Sequence, residues 1–381
     1  MIRRLAARTV SHNLGKFPAA ALLGPRQCGK TTLARSLGKT YFDLEQDVDR
    51  LNLDLEWQNV CQKRSVVILD EAQVHPGIFS KLRGAIDADR KRNGRFLILG
   101  SVAPALMKNV SESLAGRLAI CELTSFLLPE RPLQYDDVLW IRGGFPDGGI
   151  LGARTFPSWQ KDYLTLLAQR DLPSWGIPAK PQVTMRFLKM LAVMHAQIWN
   201  ASSVGSSLGL SYHTANSYLD YLQNAYLITV LRPFHSNLGK RLVKSPKIYW
   251  NDSGLFHALM GIDSLSSLLS QPFAGASWEG FCISQILGVL KSSGRLFEAK
   301  YFRTSDGHEI DLLLTLKNKR LGIEFKLTAS PSELDFKKLE HNGKLARVDE
   351  TWLVSRTKKN SGGRGRLSTN LSGAIDRLLA Y

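Results

Sequence analysis

Gly24-Pro25-Arg26-Gln27-Cys28-Gly29-Lys30-Thr31 follows the spacing G-x-x-x-x-G-K-[ST], which suits a loop that wraps its amides around nucleotide phosphates. Glycines let the backbone approach closely, and the positive end of the following helix meets the anionic charge. Lys30 is expected to reach the β and γ phosphates and Thr31 to hold Mg²⁺ through its hydroxyl. With Thr32, residues 24–31 make up the expected contact set for ATP or a close relative. A second constellation is Ser65-Val66-Val67-Ile68-Leu69-Asp70-Glu71, an apolar run ending in two carboxylates. Asp70 suits the surroundings of Mg²⁺, and Glu71 could orient or deprotonate an attacking water. A third run, Arg95 to Leu99, ends in Gly100-Ser101, whose hydroxyl could bond the water or the γ-phosphate; equally, a serine after a strand can simply cap a turn.

These residues need elements that place them together. Ala19 to Leu23, Val66 to Leu69 and Phe96 to Leu99 have strand length, and helical patterns such as Thr31 to Leu37 alternate with them. That order predicts a parallel sheet covered on both faces. In such sheets the functional crevice lies at the carboxyl ends of the strands, where all three motifs sit. Further on, Pro129 to Pro157 is rich in Pro and Gly and is expected to be a boundary or linker. From Trp159 to Gly261 the pattern is mainly helical. Within it, Ser206 to Leu222 reads as helix, Gly-containing turn and a second helix capped by Ser211, the shape of a helix-turn-helix. Tyr226 to Leu231 and Lys247 to Trp250 could be strands of a wing. Leu208, Leu210, Leu219 and Leu222 would be core equally in a purely internal packing unit.

From Gln271 the pattern is α/β again, with a helix through Trp278 to Leu290 and strands at Glu309 to Leu316 and Gly322 to Leu327. Alternation puts Glu309 with Asp311 on one strand face, and Glu324 with Lys326 on another. If the two strands pair, Asp311 and Glu324 could share one divalent ion while Lys326 steadies a water or a phosphate.

The chain has 381 residues and a formal net charge of +17, a surplus that commonly serves polyanion binding. DNA is the partner expected. The start, Met1 to Arg8, reads as an amphipathic helix, and no apolar run spans a membrane. Cys28, Cys61, Cys121 and Cys282 are scattered, which fits a reducing cytoplasm. Arg356 to Arg366, rich in Lys, Arg and Gly, reads as a mobile basic loop.

The phosphate loop together with Leu69-Asp70-Glu71-Ala72-Gln73, Leu99-Gly100-Ser101, Ser113-Leu114-Ala115-Gly116-Arg117 and Gly143-Gly144-Phe145-Pro146 resembles the prokaryotic AAA+ ATPases that carry a DUF4143 domain. The likeness continues through Gln169-Arg170-Asp171-Leu172, Lys247 to Leu255 and Trp278-Glu279, nearly the whole chain. It implies a P-loop domain over residues 1–145, a helical winged-helix domain over 146–265 and a DUF4143 domain over 266–381. It implies catalytic roles for Glu71, Ser101 and Arg117. Arg117 would be an arginine finger acting in its own subunit or a neighbour's, or else the member of a plain salt bridge; action on a neighbour would need a homo-oligomer. Cys28 departs from the family's small aliphatic residue, and its thiol is expected to be either reagent-sensitive or buried and inert. Asp followed by Glu-x-Lys resembles the restriction-endonuclease-like fold, with Glu279 as a further ligand. Two functions follow as expectations: an ATP-driven machine acting on DNA with a metal-dependent nuclease module, or a nucleotide-gated switch for a protein partner with an inactive last domain.

Overall fold

The computed structural model describes residues 2–101, 113–131, 136–151, 155–174, 180–234, 243–363 and 365–381. Pro132 of the expected linker and Arg364 of the basic run lie outside them. One compact unit consists of Met1–Phe126 with Asn224–Tyr226 and Lys291–Gly294, and the rest forms a second.

In the first unit, β1 (Ala19–Leu23), β2 (Thr40–Asp43), β3 (Val67–Asp70), β4 (Phe96–Gly100) and β5 (Leu118–Glu122) make one parallel sheet in the order β2-β3-β4-β1-β5. Every residue of β1, β3 and β4 is buried, which is why these strands read as unbroken apolar runs. The helix Gly77–Ala88 turns Ile78, Phe79, Leu82 and Ile86 inward at three- and four-residue spacing, and they join Leu69, Phe96 and Ile98 in one core. The register sets Leu23 beside Gly100 and Asp43 beside Asp70. Gly24, Glu71 and Ser101 therefore leave the sheet at the same, carboxyl-terminal edge.

The second unit begins with helices, among them Asp136–Arg142, Pro181–Val193, Ala201–Leu208 and Tyr212–Asn224, then the antiparallel pair β6 (Ile228–Leu231) and β7 (Lys247–Trp250). The helix-turn-helix shape is formed. Gly209 ends the first helix in the left-handed region at φ +66°, and Ser211 Oγ accepts the Thr214 amide at 3.0 Å to start the second.

After the helix Ala274–Ser292 comes a six-stranded mixed sheet built from β8 (Phe297–Arg303), β9 (Glu309–Leu316), β10 (Lys319–Phe325), β11 (Glu350–Val354), β12 (Ser361–Gly363) and β13 (Arg366–Thr369). Its order is β12-β13-β11-β10-β9-β8. β9 and β10 form the antiparallel pair that the carboxylate reading required, turning at Lys317, whose φ is +52°.

Two expectations gain detail. Described glycines of the segment expected to be a boundary or linker are closely packed. Gly143 lies at φ +75° with no room for a β-carbon against the Asp252 carboxylate, which also accepts the Gly144 amide at 2.8 Å and the Leu255 amide at 3.1 Å. The glycines are there for close approach, a role that composition shares with flexibility. The described residues of the basic stretch 356–366 do not form the mobile loop expected. Ser361–Gly363 pairs antiparallel with β13, Arg356 bonds both oxygens of Asp137 at 2.8 and 3.0 Å, and Arg366 pairs with Glu340. Opposite charges distant in sequence tether it.

Candidate functional site

The loop after β1 is shaped by its glycines. A β-carbon on Gly24 would collide with the Leu123 carbonyl, and Gly29 sits at φ +97°, where side chains are strained. Cys28 is fully buried, with its thiol against the Leu123 carbonyl at 3.5 Å, and burial pushes that thiol up from its usual value. It is the inert alternative of the two expected. Arg4, just before the first helix (Ala6–Lys16), braces the loop, donating to Cys28 O at 2.9 Å and Thr124 O at 2.6 Å.

Lys30 is buried and folds over the loop, its ammonium donating to Gly24 O at 3.0 Å and Pro25 O at 2.9 Å. Thr31 donates to Asp70 Oδ2 at 2.7 Å. The same oxygen accepts the Tyr41 hydroxyl at 2.9 Å, and Asp70 Oδ1 accepts the Glu71 amide at 3.0 Å. Both carboxylate oxygens are thus fixed. Thr31 and Asp70 offer hard oxygen donors of the kind Mg²⁺ takes, so the residues present fit that ion.

Glu71 occupies the left-handed region, φ +49° and ψ +44°, at the sharp exit from β3. Its carboxylate accepts the Ser101 hydroxyl at 3.1 Å on each oxygen and also the Gln73 amide. The three sequence motifs therefore converge on one edge, with Thr31, Asp70, Glu71 and Ser101 in a chain of contacts that begins one residue after Lys30. Pro25, Gln27 and Thr32 belong to the loop or its helix, and Arg26 pairs with Glu45 at 4.0 Å. Arg117 does not join them: its guanidinium grips Asp87 at 2.8 and 2.9 Å. Tyr41 was missed by sequence reasoning. Its only signal is its place next to the end of β2, and an aromatic there looks like ordinary packing.

The second constellation, in the last sheet, is also assembled, but around a residue that sequence reasoning had assigned to a wing. Lys247 on β7 is 3% exposed, and its ammonium lies 2.5 Å from Glu309, 3.1 Å from Glu279 and 4.0 Å from Asp311. Tyr249, two residues on and so on the same strand face, donates to Glu279 at 2.6 Å. Asp311 Oδ2 accepts the Phe325 amide at 2.9 Å, and Lys326 pairs with Glu324 at 2.9 Å. Among the described residues no group of three or more His, Cys, Asp or Glu side chains is arranged to hold a metal ion. The pattern Lys-x-Tyr on a strand was the available signal.

Burial and the neighbouring Asp311 push the Glu279 carboxyl up to about 7 and that of Glu324 up to about 8. Burial raises Asp311 as well. In the unfolded chain such groups titrate near pH 4.5. The folded state therefore keeps protons that the unfolded state releases, and the stabilisation this gives is complete below the unfolded value and lost as pH rises through the folded ones. The unfolding midpoint is expected to fall between about pH 5 and pH 8.5, and the fall should shrink in a Glu279→Gln, Glu324→Gln variant. Identical pH profiles for the two proteins would remove these carboxyls as its cause.

Residues 16–131 match the AAA domain family, 135–266 match DUF8612 and 274–370 match DUF4143, the last two being domains of unknown function. Uncharacterized proteins of Mycobacterium bovis and Mycobacterium tuberculosis are each 37% identical over 335 residues, 87% of this chain and 75% of theirs. Among solved structures, a Walker-type ATPase of Pyrococcus abyssi covers 67% of this chain and 94% of its own at 14% identity and a TM-score of 0.46. A signal-transduction ATPase with a tetratricopeptide repeat sensor from Pyrococcus horikoshii covers 75% and 47% at 11% identity and a TM-score of 0.30. No helix among the described residues is long and apolar enough to cross a membrane.

Proposed function

Because the chain belongs to the prokaryotic P-loop ATPases that carry a DUF4143 domain, we propose that it hydrolyses ATP at the edge of its parallel sheet and couples that turnover to DNA. The observation that carries the first part is the continuous contact path Thr31, Asp70, Glu71, Ser101, which starts at the residue after Lys30. Thr31 and Asp70 would hold Mg²⁺, which when bound offsets charge on the phosphates. Glu71 accepts the proton of the attacking water, and Ser101 holds the Glu71 carboxylate in place for it. Lys30, released from the loop carbonyls, meets the β and γ phosphates with a charge-assisted bond.

Lys30→Ala tests this directly. Loss of a hydrogen bond to a charged group corresponds to about 1.5–3 kcal/mol, so ATP affinity should fall by about ten- to a hundredfold in a protein that still folds. Unchanged affinity in isothermal titration would end the proposal.

The DNA part is supported by the charge of +17 and by the helix-turn-helix with its β6–β7 pair. Labour divides along the chain as 1–145 for nucleotide, 146–265 for coupling and 266–381 for a nuclease-like domain. Its test is the ATPase rate with and without single-stranded, duplex and branched DNA. A second reading, a nucleotide-gated switch for a protein partner, is favoured by two observations. The exposed side of the second helix presents Tyr212, His213, Ser217, Asp220 and Gln223 without a single Lys or Arg, which is poor for meeting phosphates. The buried Lys247 ammonium neutralises the carboxylates that a nuclease would offer to metal. Nucleotide-dependent capture of a protein with no response to any DNA would decide for the switch.

A further inference from the structure

A row of exposed cations lies in the first unit at the edge opposite the phosphate loop. Because the sheet is parallel, every strand starts on that edge. Lys39 directly precedes β2, Lys63 and Arg64 precede β3, Arg90 and Lys91 precede β4, and Lys16 precedes β1; all six are exposed. In sheet order they run from β2 to β1. At the usual spacing between strands the four starts span about 14 Å, the reach of four or five phosphates on one strand of a duplex. Asp89 is the one acid in these loops among the described residues, and Asp87, just before it, is occupied by Arg117.

The row is held rigidly. Arg92 donates to Cys61 O at 3.1 Å and to Lys63 O, tying the loop before β4 to the loop before β3. Asn93 donates to Gly15 O at 3.1 Å and Gly94 to Phe17 O at 3.0 Å, tying it to the start of β1. Cations already fixed in a line lose little freedom when a regular array of charges meets them.

We infer that this strand-start edge is a docking surface for the phosphate backbone of duplex nucleic acid. The inference rests on the DNA reading above and gives it a location. Two features favour a duplex over other polyanions. Among the described residues the exposed large apolar side chains of this unit, Val48, Leu51, Leu55, Val74 and Ile120, all lie outside the strand-start loops, so no described residue there supplies the apolar anchor of a membrane-surface binder. The described residues of these loops also carry no exposed aromatic ring for stacking single-stranded bases. ATP and duplex would occupy opposite ends of the same strands and would not compete.

The test uses the full chain with Lys39→Gln, Lys63→Gln, Arg64→Gln, Arg90→Gln and Lys91→Gln combined, and a short duplex titrated at salt between about 50 and 200 mM. The slope of log affinity against log salt should drop by about 0.9 for each cation that met a phosphate. ATP affinity should stay at the wild-type level, which also reports that the variant folds. If wild type binds duplex and the variant binds it equally well with the same slope, the surface is wrong while the DNA reading stands. Absence of wild-type duplex binding even at low salt overturns both. Binding to anionic vesicles that the substitutions abolish, without duplex binding, overturns the inference in favour of a membrane.

Discussion

Glu71→Gln is expected to slow ATP turnover by about a hundredfold or more while leaving ATP affinity unchanged. The reason lies in what each group touches. In the proposed site, affinity comes from the loop amides, Lys30 and the Thr31–Asp70 pair, whose hydrogen bonds do not involve the Glu71 side chain. Glutamine is nearly isosteric and can still accept the Ser101 hydroxyl that Glu71 accepts at 3.1 Å, so the exit from β3 should keep its shape. An amide oxygen is a far weaker base than a carboxylate and cannot take the proton of water. Single-turnover hydrolysis together with equilibrium nucleotide binding separates the two effects. Turnover at the wild-type rate would remove Glu71 from the reaction, and a parallel loss of affinity would mean that it serves the fold of the loop. Ser101→Ala should give a smaller loss of turnover in the same assay, because that hydroxyl acts through the Glu71 carboxylate.

Lys247→Met should destabilise the second unit by about 3–5 kcal/mol at pH 8, as removing one partner of a buried ion pair commonly does. The ammonium faces Glu279, Glu309 and Asp311 at once. Methionine fills much of the same space, so the loss would be electrostatic rather than a cavity. Glu309 keeps Arg303 at 3.0 Å, whereas Glu279 and Asp311 lose their largest lowering influence or one of the largest. Those carboxyls should take up protons more readily, so lowering the pH to about 5 should recover part of the deficit. Denaturant midpoints at the two pH values measure this. An equal deficit at both would show that packing by the lysine stem matters and its charge does not. If Mg²⁺ or Mn²⁺ restored stability to the variant, the carboxylates would be competent ligands that Lys247 keeps neutralised in the wild type.

The candidate nucleotide site was legible because its geometry depends on local spacing. Glycines, Lys30 and Thr31 are consecutive, and the strand on one side and the helix on the other follow from an apolar run and its end. Asp70, Glu71 and Ser101 could be assigned to the same edge because parallel strands share a direction, so the end of an apolar run is enough to place a residue. The strands of the last sheet were readable from their apolar runs, and the antiparallel pairing of β9 with β10 brought Asp311 and Glu324 into one neighbourhood.

What the chain alone could not fix was decided by contacts between residues far apart in sequence. Lys247 looked like a strand residue of a wing until folding placed its ammonium among carboxylates that lie 32 to 64 positions later. Gly143 and Gly144 looked like linker until Asp252 closed against them, and Arg356 to Arg366 looked mobile until Asp137 and Glu340 supplied opposite charges. Periodicity and motif spacing report forces within about one element's length. Which buried charge faces which, and whether a glycine gives freedom or close approach, depends on Coulomb and packing energies that exist only once the elements meet.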